Sequence, residues 1–150
     1  MSLDKVTQAE EKETGRVEAF SDGVFAIAIT LLILEIRPPE DATGAGDLLT
    51  KLTKDLLPSY LAYLTGFATI GVMWINHHRM FTHVRRVDQG LLFYNTLLLL
   101  VISFVPFPTA VIAKYLASDH AGTANVAAML YSGMGIVIAI VFNLLWRQVA

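Results

Sequence analysis

Four long runs of apolar residues constrain the fold more than any other feature of this chain. The runs cover residues 17–36, 58–76, 90–113 and 123–146, so each holds 19 to 24 residues. At about 1.5 Å of helical rise per residue, such runs match the roughly 30 Å hydrocarbon layer of a bilayer. Backbone groups in lipid must be satisfied within each segment, and the runs lack the alternation of barrel strands. The sequence therefore predicts an all-α, polytopic transmembrane helix bundle with four visible spans.

The composition also indicates lipid as the solvent. Of the 150 residues, 55% are apolar and 16% are charged, whereas soluble domains average about 45–50% and about 25%. The net charge of −2 argues against a nucleic-acid partner, and the absence of cysteine excludes disulfides and thiolate metal sites. Because the first fifteen residues are polar and mixed in charge, we expect a polar cytoplasmic tail over 1–15 and a transmembrane domain over 16–150.

The basic residues predict the orientation. If all four runs span and the N-terminus is inside, seven of the eleven Lys and Arg residues are cytoplasmic. Three of these seven, Arg79, Arg85 and Arg86, fall in one short connection. Since cytoplasmic loops carry an excess of Lys and Arg, we expect a multi-pass protein of the cell membrane with a cytoplasmic N-terminus.

The ends of the runs carry helix-breaking and amphipathic signals. Arg37-Pro38-Pro39 ends the first run, because a helix does not continue through that sequence. The segment 47–57 has leucines at helical spacing and leads into the second run. Pro106 and Pro108 should kink or end the third helix. Broken helices also occur in transporters, so a small transporter is an alternative at this point.

Polar residues open the first run. Arg16, Glu18, Ser21 and Asp22 precede or enter a segment that is otherwise apolar. A charge at the bilayer centre costs about 2.5–3.5 kcal/mol on insertion scales. Arg16 and Asp22 are six residues apart and lie on different faces of a helix, so each needs a partner on another helix. The alternative is that Ser21 or Asp22 only caps the helix, and placement alone leaves both possibilities open.

One face of the first helix carries a stripe of four residues. Ile27, Thr30, Leu31 and Leu34 follow the spacing i, i+3, i+4 and i+7. Such spacing by itself favours a lipid-facing or core stripe. A pore-lining stripe is the second possibility, and it needs support beyond the spacing.

The histidines near the end of the second run do not form a convincing metal site. His77 and His78 are adjacent and therefore about 100° apart on a helix, which makes shared binding of one ion difficult. Interfacial hydrogen bonding beside Trp74 is the preferred interpretation, and we predict no metal site. The chain also lacks a nucleophile elbow, so we do not expect an enzyme.

Three segments resemble a known family. The first reads RVEAFSDG from Arg16 and leads into VFAIAITLLILEI, the second is Trp74-Ile-Asn76-His77-His78, and the third combines Asn95 with the later VPFPT. In order and spacing they are similar to the first three helices of the transmembrane protein 175 family, which comprises endolysosomal potassium channels and bacterial homologues. The similarity covers roughly residues 16–110.

The resemblance implies a function and a set of site residues. It implies a homotetramer in which four first helices surround a central pore that passes potassium, with no other cofactor. Carried over by position, Ile27 forms an apolar ring that closes the pore, Thr30 adds a ring of hydroxyls, and Leu31 and Leu34 line the pore beyond. Glu35 lies near the outer mouth, either to concentrate cations or simply as a surface carboxylate.

The same resemblance assigns a structural network near the cytoplasmic side. Its members are Arg16, Phe20, Ser21, Asp22, Trp74, Asn76 and His77, and Asp22 is expected beside His77 or Asn76. The family protomer has six spans, whereas four are visible here. We therefore expect a potassium-permeable cation channel whose partners are further copies of itself, the lipid bilayer and permeant monovalent cations. A small transporter or a non-conducting helical membrane subunit is the alternative.

Overall fold

The computed structural model describes residues 3–84, 86–116 and 122–149, and for residues 3–7 and 9 it describes the backbone alone. Within these ranges the regular structure is entirely helical, so the predicted all-α fold is confirmed. The helices are α1 (Leu3–Leu31, continued by a 3₁₀ turn over Leu32–Glu35), α2 (Ala45–Thr50, continued by a π turn over Lys51–Asp55), α3 (Leu57–Phe81), α4 (Gln89–Phe104), α5 (Pro106–Tyr115) and α6 (Thr123–Val149).

Three segments of the described chain are long and apolar enough to cross a membrane. They are Glu10–Glu35, Gln89–Tyr115 and Thr123–Val149. A fourth follows if Ala45–Asp55 and Leu57–Phe81, which meet at a bend of 41°, are counted as one span. The second predicted span, 58–76, lies within α3. The molecule therefore has three candidate spans and up to four.

The first helix is longer than the apolar run that predicted it. α1 begins at Leu3, so most of the polar tail expected over 1–15 is helical. Glu, Lys and Gln, which are frequent there, are good helix formers. This polar half of α1 runs past the connection between α3 and α4, where Glu10 Oε1 lies 3.9 Å from Arg86 Nε. The polar half of α1 and this connection therefore lie at the same end of the bundle.

The third apolar run is broken as its prolines predict. α4 ends at Phe104 and α5 begins at Pro106, with Val105 between them. Pro106 has no N–H to continue the helical ladder. The carbonyl of Val105 is satisfied by Thr109, whose N–H and hydroxyl donate to it at 3.2 and 2.9 Å. The chain can therefore bend at Val105 with this carbonyl still satisfied.

The core lies where α1 is held between α3 and α4. Phe25 and Ala28 of α1 are buried against residues such as Ile70 of α3 and Ile102 of α4. α6 packs on the far side of α4 and α5. This packing fixes which face of α1 is turned inward and which is left open.

Candidate functional site

The stripe predicted on α1 lies on its open face. The side chains of Ile27, Leu31 and Leu34 are 61%, 40% and 67% exposed, whereas Phe25 and Ala28 on the opposite face are 1% exposed. The described part of the chain therefore buries one side of α1 and leaves the stripe uncovered. A helix that keeps its large apolar residues exposed in this way requires lipid or a further protein surface beside it.

Thr30 lies within this stripe and is also exposed. Its hydroxyl donates to the carbonyl of Ile27 at 2.9 Å. The hydroxyl hydrogen is thus engaged within the helix, and the oxygen lone pairs remain as acceptors. A cation or a water molecule beside the helix would meet an acceptor at this position.

A buried hydrogen-bond chain joins three helices beneath the opposite face of α1. Asn95 of α4 donates from Nδ2 to Ser21 Oγ at 2.9 Å, and its Oδ1 lies 2.9 Å from His77 Nε2. Because Oδ1 is an acceptor, the ring of His77 must carry its proton on Nε2. Ser21 in turn donates to the carbonyl of Val17 at 2.9 Å. Ser21, His77 and Asn95 are all 2% exposed or less, so this chain forms a polar centre within an apolar core.

Aromatic rings surround His77. The ring of Phe81 is stacked on it at a centroid distance of 4.4 Å, and the ring of Phe25 is tilted against it at 5.3 Å. His77 Nδ1 is buried without a hydrogen-bond partner among the described residues. These contacts hold the imidazole in one orientation, with its Nε2 directed to Asn95 on α4.

A second set of polar contacts joins α1 and α3 near the surface. Trp74 Nε1 donates to Asp22 Oδ1 at 2.8 Å, and His78 Nδ1 lies 2.8 Å from Glu18 Oε1. The rings of Trp74 and His78 are stacked at 6.0 Å. On each helix the two residues are four apart and therefore lie one turn apart on the same face. Two side-chain pairs, Asp22–Trp74 and Glu18–His78, thus connect the same faces of α1 and α3.

These contacts add a partner of Asp22 that the hypothesis about the network did not name. Asp22 was expected beside His77 or Asn76, but the residue that hydrogen-bonds it is Trp74. His77 is directed toward α4 and bonds Asn95 instead. The rotation of α3 turns Trp74 toward α1, and Asn76 is exposed.

The remaining members of the predicted network lie outside the buried chain. Arg16 is exposed, and Phe20 is 65% exposed on the same side of α1 as Ile27. The sequence did not predict the pairing of Glu18 with His78. The four-residue spacing of Glu18 and Asp22, matched by that of Trp74 and His78, is the signal from which it follows.

Charged residues gather at the far end of α1. Glu35, Arg37 and Lys114 line two adjacent cavities of about 630 and 280 Å³ between the 3₁₀ turn and α5. Leu31 and Leu34 form part of the wall of the larger cavity. The carboxylate of Glu35 therefore shares its surroundings with two cationic side chains, which offset its negative charge.

The long apolar helices and the uncovered stripe define a multi-pass helical membrane protein. The comparisons with known proteins identify its family. The model of the family described as the endosomal/lysosomal potassium channel TMEM175 matches residues 16–106, more than half of the chain. The chain belongs to this family. The family is one of ion channels, which are not enzymes, and the resemblance found in the sequence is confirmed.

Individual relatives agree with this result. A potassium channel of Chamaesiphon minutus is 53% identical over 145 residues, which cover 97% of this chain and 70% of that protein. A potassium channel of Streptomyces collinus is 53% identical over 134 residues, 89% of this chain and 63% of that protein. The human endosomal/lysosomal proton channel TMEM175 is 43% identical over 98 residues, 61% of this chain and 19% of that protein.

A solved structure resembles the whole fold. The crystal structure of a lysosomal potassium-selective channel TMEM175 homolog from Chamaesiphon minutus matches with a TM-score of 0.84 and 54% sequence identity. The match covers 91% of this chain and 71% of that one. The arrangement of helices is therefore that of a channel of this family.

Proposed function

We propose that this protein is a potassium-permeable cation channel of the cell membrane, formed by four copies of the chain. In this proposal α1, α3, the broken helix α4–α5 and α6 are the four spans, and the N-terminus is cytoplasmic. Four copies of α1 surround the pore. The observation that carries the proposal is the uncovered stripe on α1, whose apolar members are 40% to 67% exposed.

In a four-fold assembly, the stripe of each copy would face the stripes of the other copies. In a symmetric ring the same face of each α1 is directed to the axis, so Ile27, Leu31 and Leu34 would form stacked apolar rings. An apolar ring closes a pore by excluding water. Relatives that are 53% identical over most of this chain are named potassium channels, which supports conduction rather than a purely structural role.

Thr30 suits a position beside the path of an ion. Its hydroxyl hydrogen is donated to the carbonyl of Ile27, so the oxygen is available as an acceptor. Four such oxygens around the axis would replace part of the hydration shell of a cation. They would lie about one helical turn from the Ile27 ring.

Glu35 is proposed to attract cations at the outer mouth. Arg37 and Lys114 line the same cavities, so the net local charge is positive rather than negative. Any attraction must therefore act at short range, at the carboxylate itself. Glu35→Gln would then lower conductance by a similar factor at low and at high salt, because salt screens a contact at such short range only weakly.

Flux from liposomes tests the channel proposal. Purified protein in potassium-loaded vesicles should release potassium passively, at a rate that follows the membrane potential. Saturable exchange that needs a second solute would indicate a transporter. No flux from a correctly assembled protein would indicate a non-conducting membrane subunit.

Substitution of Ile27 tests the gate. Ile27→Asn should raise passive potassium leak, because a polar ring wets more easily than an apolar one. Ile33→Asn is the matched control: Ile33 is 51% exposed but lies about 120° away from Ile27 around the helix. Size-exclusion chromatography first confirms that both variants assemble. Equal leak in the two variants would remove Ile27 from the gate.

A further inference from the structure

A short amphipathic segment, residues 45–55, connects the first two spans. It consists of α2 and its π turn, and it meets α3 at Leu56 with a bend of 41°. Its contacts within the described chain are mainly local, between α2 and its own π turn and from that turn to the start of α3. The segment therefore projects from the bundle.

The two sides of the amphipathic segment differ sharply. At about 100° per residue, Leu48, Leu49 and Leu52 lie within a single arc of roughly 100°. They are 39%, 63% and 37% exposed, so the described part of the protein covers this arc only in part. Lys51 and Lys54 lie on other sides of the helix. The segment thus combines a leucine face with a charged face.

The charged face is held by the preceding loop. Thr43 N–H donates to Asp47 Oδ2 at 2.9 Å, and Lys51 Nζ lies 3.2 Å from the same oxygen. Lys51 Nζ also donates to the carbonyl of Asp41 at 2.7 Å. These bonds place the loop against the polar side of the segment, so the leucine face is the side that the loop leaves open.

The length of α3 places this face at the edge of the hydrocarbon. α3 has 25 residues, which at about 1.5 Å each span about 37 Å, enough to cross a bilayer without further residues. The bend of 41° at Leu56 then directs the amphipathic segment obliquely away from the axis of α3, at the point where α3 leaves the apolar layer. A leucine face directed outward at this depth is typical of interfacial helices.

We propose that the amphipathic segment lies in the boundary between phospholipid headgroups and acyl chains, with its leucine face in the lipid. The bilayer surface is its partner. Lys51 and Lys54 then lie at the level of the phosphates. This anchor would fix the depth and tilt of α3, whose Trp74 and His78 contact α1. The inference does not depend on conduction.

Paired site-directed labels test the proposal directly. The chain contains no cysteine, so Leu49→Cys and Thr50→Cys each give a single labelling site on the complete protein. Thr50 is the matched control because it is exposed and lies on the opposite side from the leucine arc. Nitroxide-labelled protein is placed in phosphatidylcholine–phosphatidylglycerol vesicles, and collisions with dissolved oxygen and with a water-soluble nickel chelate are compared.

The relative accessibility of the label to oxygen and to the nickel chelate should reverse between positions 49 and 50. Position 49 should collide more with oxygen, which concentrates in lipid, and position 50 more with the nickel chelate. If the chelate reaches both positions equally, the segment is in water and the proposal is overturned. If position 49 is shielded from both reagents, a second copy covers it and the proposal is again overturned. Leu52→Cys repeats the test should the label at 49 prevent assembly.

Discussion

Asn95 is the side chain through which three helices meet. Its amide contacts Ser21 on α1 and His77 on α3, and all three are buried. A buried donor that loses its acceptor costs about 1–3 kcal/mol. This small centre therefore contributes to specifying how the helices are rotated as well as how strongly they pack.

We predict that Asn95→Ala lowers the unfolding temperature of the detergent-solubilised protein clearly more than Thr96→Ala does. The first substitution removes the acceptor of the His77 N–H, at a cost of about 1–3 kcal/mol. Thr96 is exposed, and its hydroxyl bonds the carbonyl of Leu92 in its own helix at 2.8 Å. Thermal unfolding followed by circular dichroism measures the difference. Equal unfolding temperatures for the two variants would show that the hydrogen bonds of Asn95 add no stability.

A second prediction concerns the hydrogen bond between Trp74 and Asp22. In a double-mutant cycle, Asp22→Ala and Trp74→Phe should be coupled by about 0.5–1.5 kcal/mol, because they share one hydrogen bond. Trp146→Phe provides the control cycle, since Trp146 lies on α6 beside His83. The free energy of unfolding is measured for each variant. Additive effects in the first cycle would contradict the hydrogen bond.

The sequence indicated which side chains take part in these contacts better than it indicated which of them pair with each other. Ser21 and Asp22 stood out because polar groups in an apolar run need an explanation, whereas Trp74 and His77 entered the predicted network through the family resemblance. Their pairing depends on the rotation of α3 about its axis, which spacing along one helix does not determine. A rotation by a single residue, about 100°, exchanges Trp74 for Ile75 on the face toward α1.

At the scale of elements, α3 lies close against its neighbours at Gly66. A Cβ built there would lie 3.2 Å from Leu32 Cδ2 and 3.2 Å from Thr109 Cγ2. Thr109 is buried, β-branched and hydrogen-bonded, so its side chain cannot easily move aside to make room for that Cβ. This glycine therefore allows α3 to lie against both α5 and the outer end of α1.

We predict that Gly66→Ala is less stable than Gly71→Ala by about 1–3 kcal/mol, the usual cost of overpacking. Both glycines lie within α3, so the gain in helix propensity is the same for both. A Cβ at Gly71 meets nothing within 4 Å. Chemical unfolding in mixed micelles compares the two variants. Equal stability would mean that Leu32 and Thr109 move aside freely.

The elements themselves were largely predictable. Apolar runs set the positions of the helices because lipid tolerates few polar residues, and Pro106 marked the break in the third helix. The helical start at Leu3 was not predicted, because a polar helix leaves no hydrophobic pattern in the sequence. The bend at Leu56 was not predicted either, since the sequence showed only that the amphipathic segment leads into the second run.

For the whole molecule, the proposed assembly places four equivalent residues around one axis. We predict that Ile27→Cys is cross-linked to dimers by a short bis-thiosulfonate, whereas Ile33→Cys is not. One cysteine per chain can join only one neighbour, so dimers are the largest product. Both positions are exposed in the single chain, and the protein has no other cysteine. Denaturing electrophoresis reads the result, and equal cross-linking at both positions would contradict an axial Ile27.

The unbroken length of α1 has a mechanical consequence. No hinge separates Glu10, beside Arg86 at one end of the bundle, from Ile27 about 25 Å further along. Ser21 and Phe25 lie between these two points and are buried in the core. The polar end and the stripe are therefore parts of one continuous helix that the core holds between them.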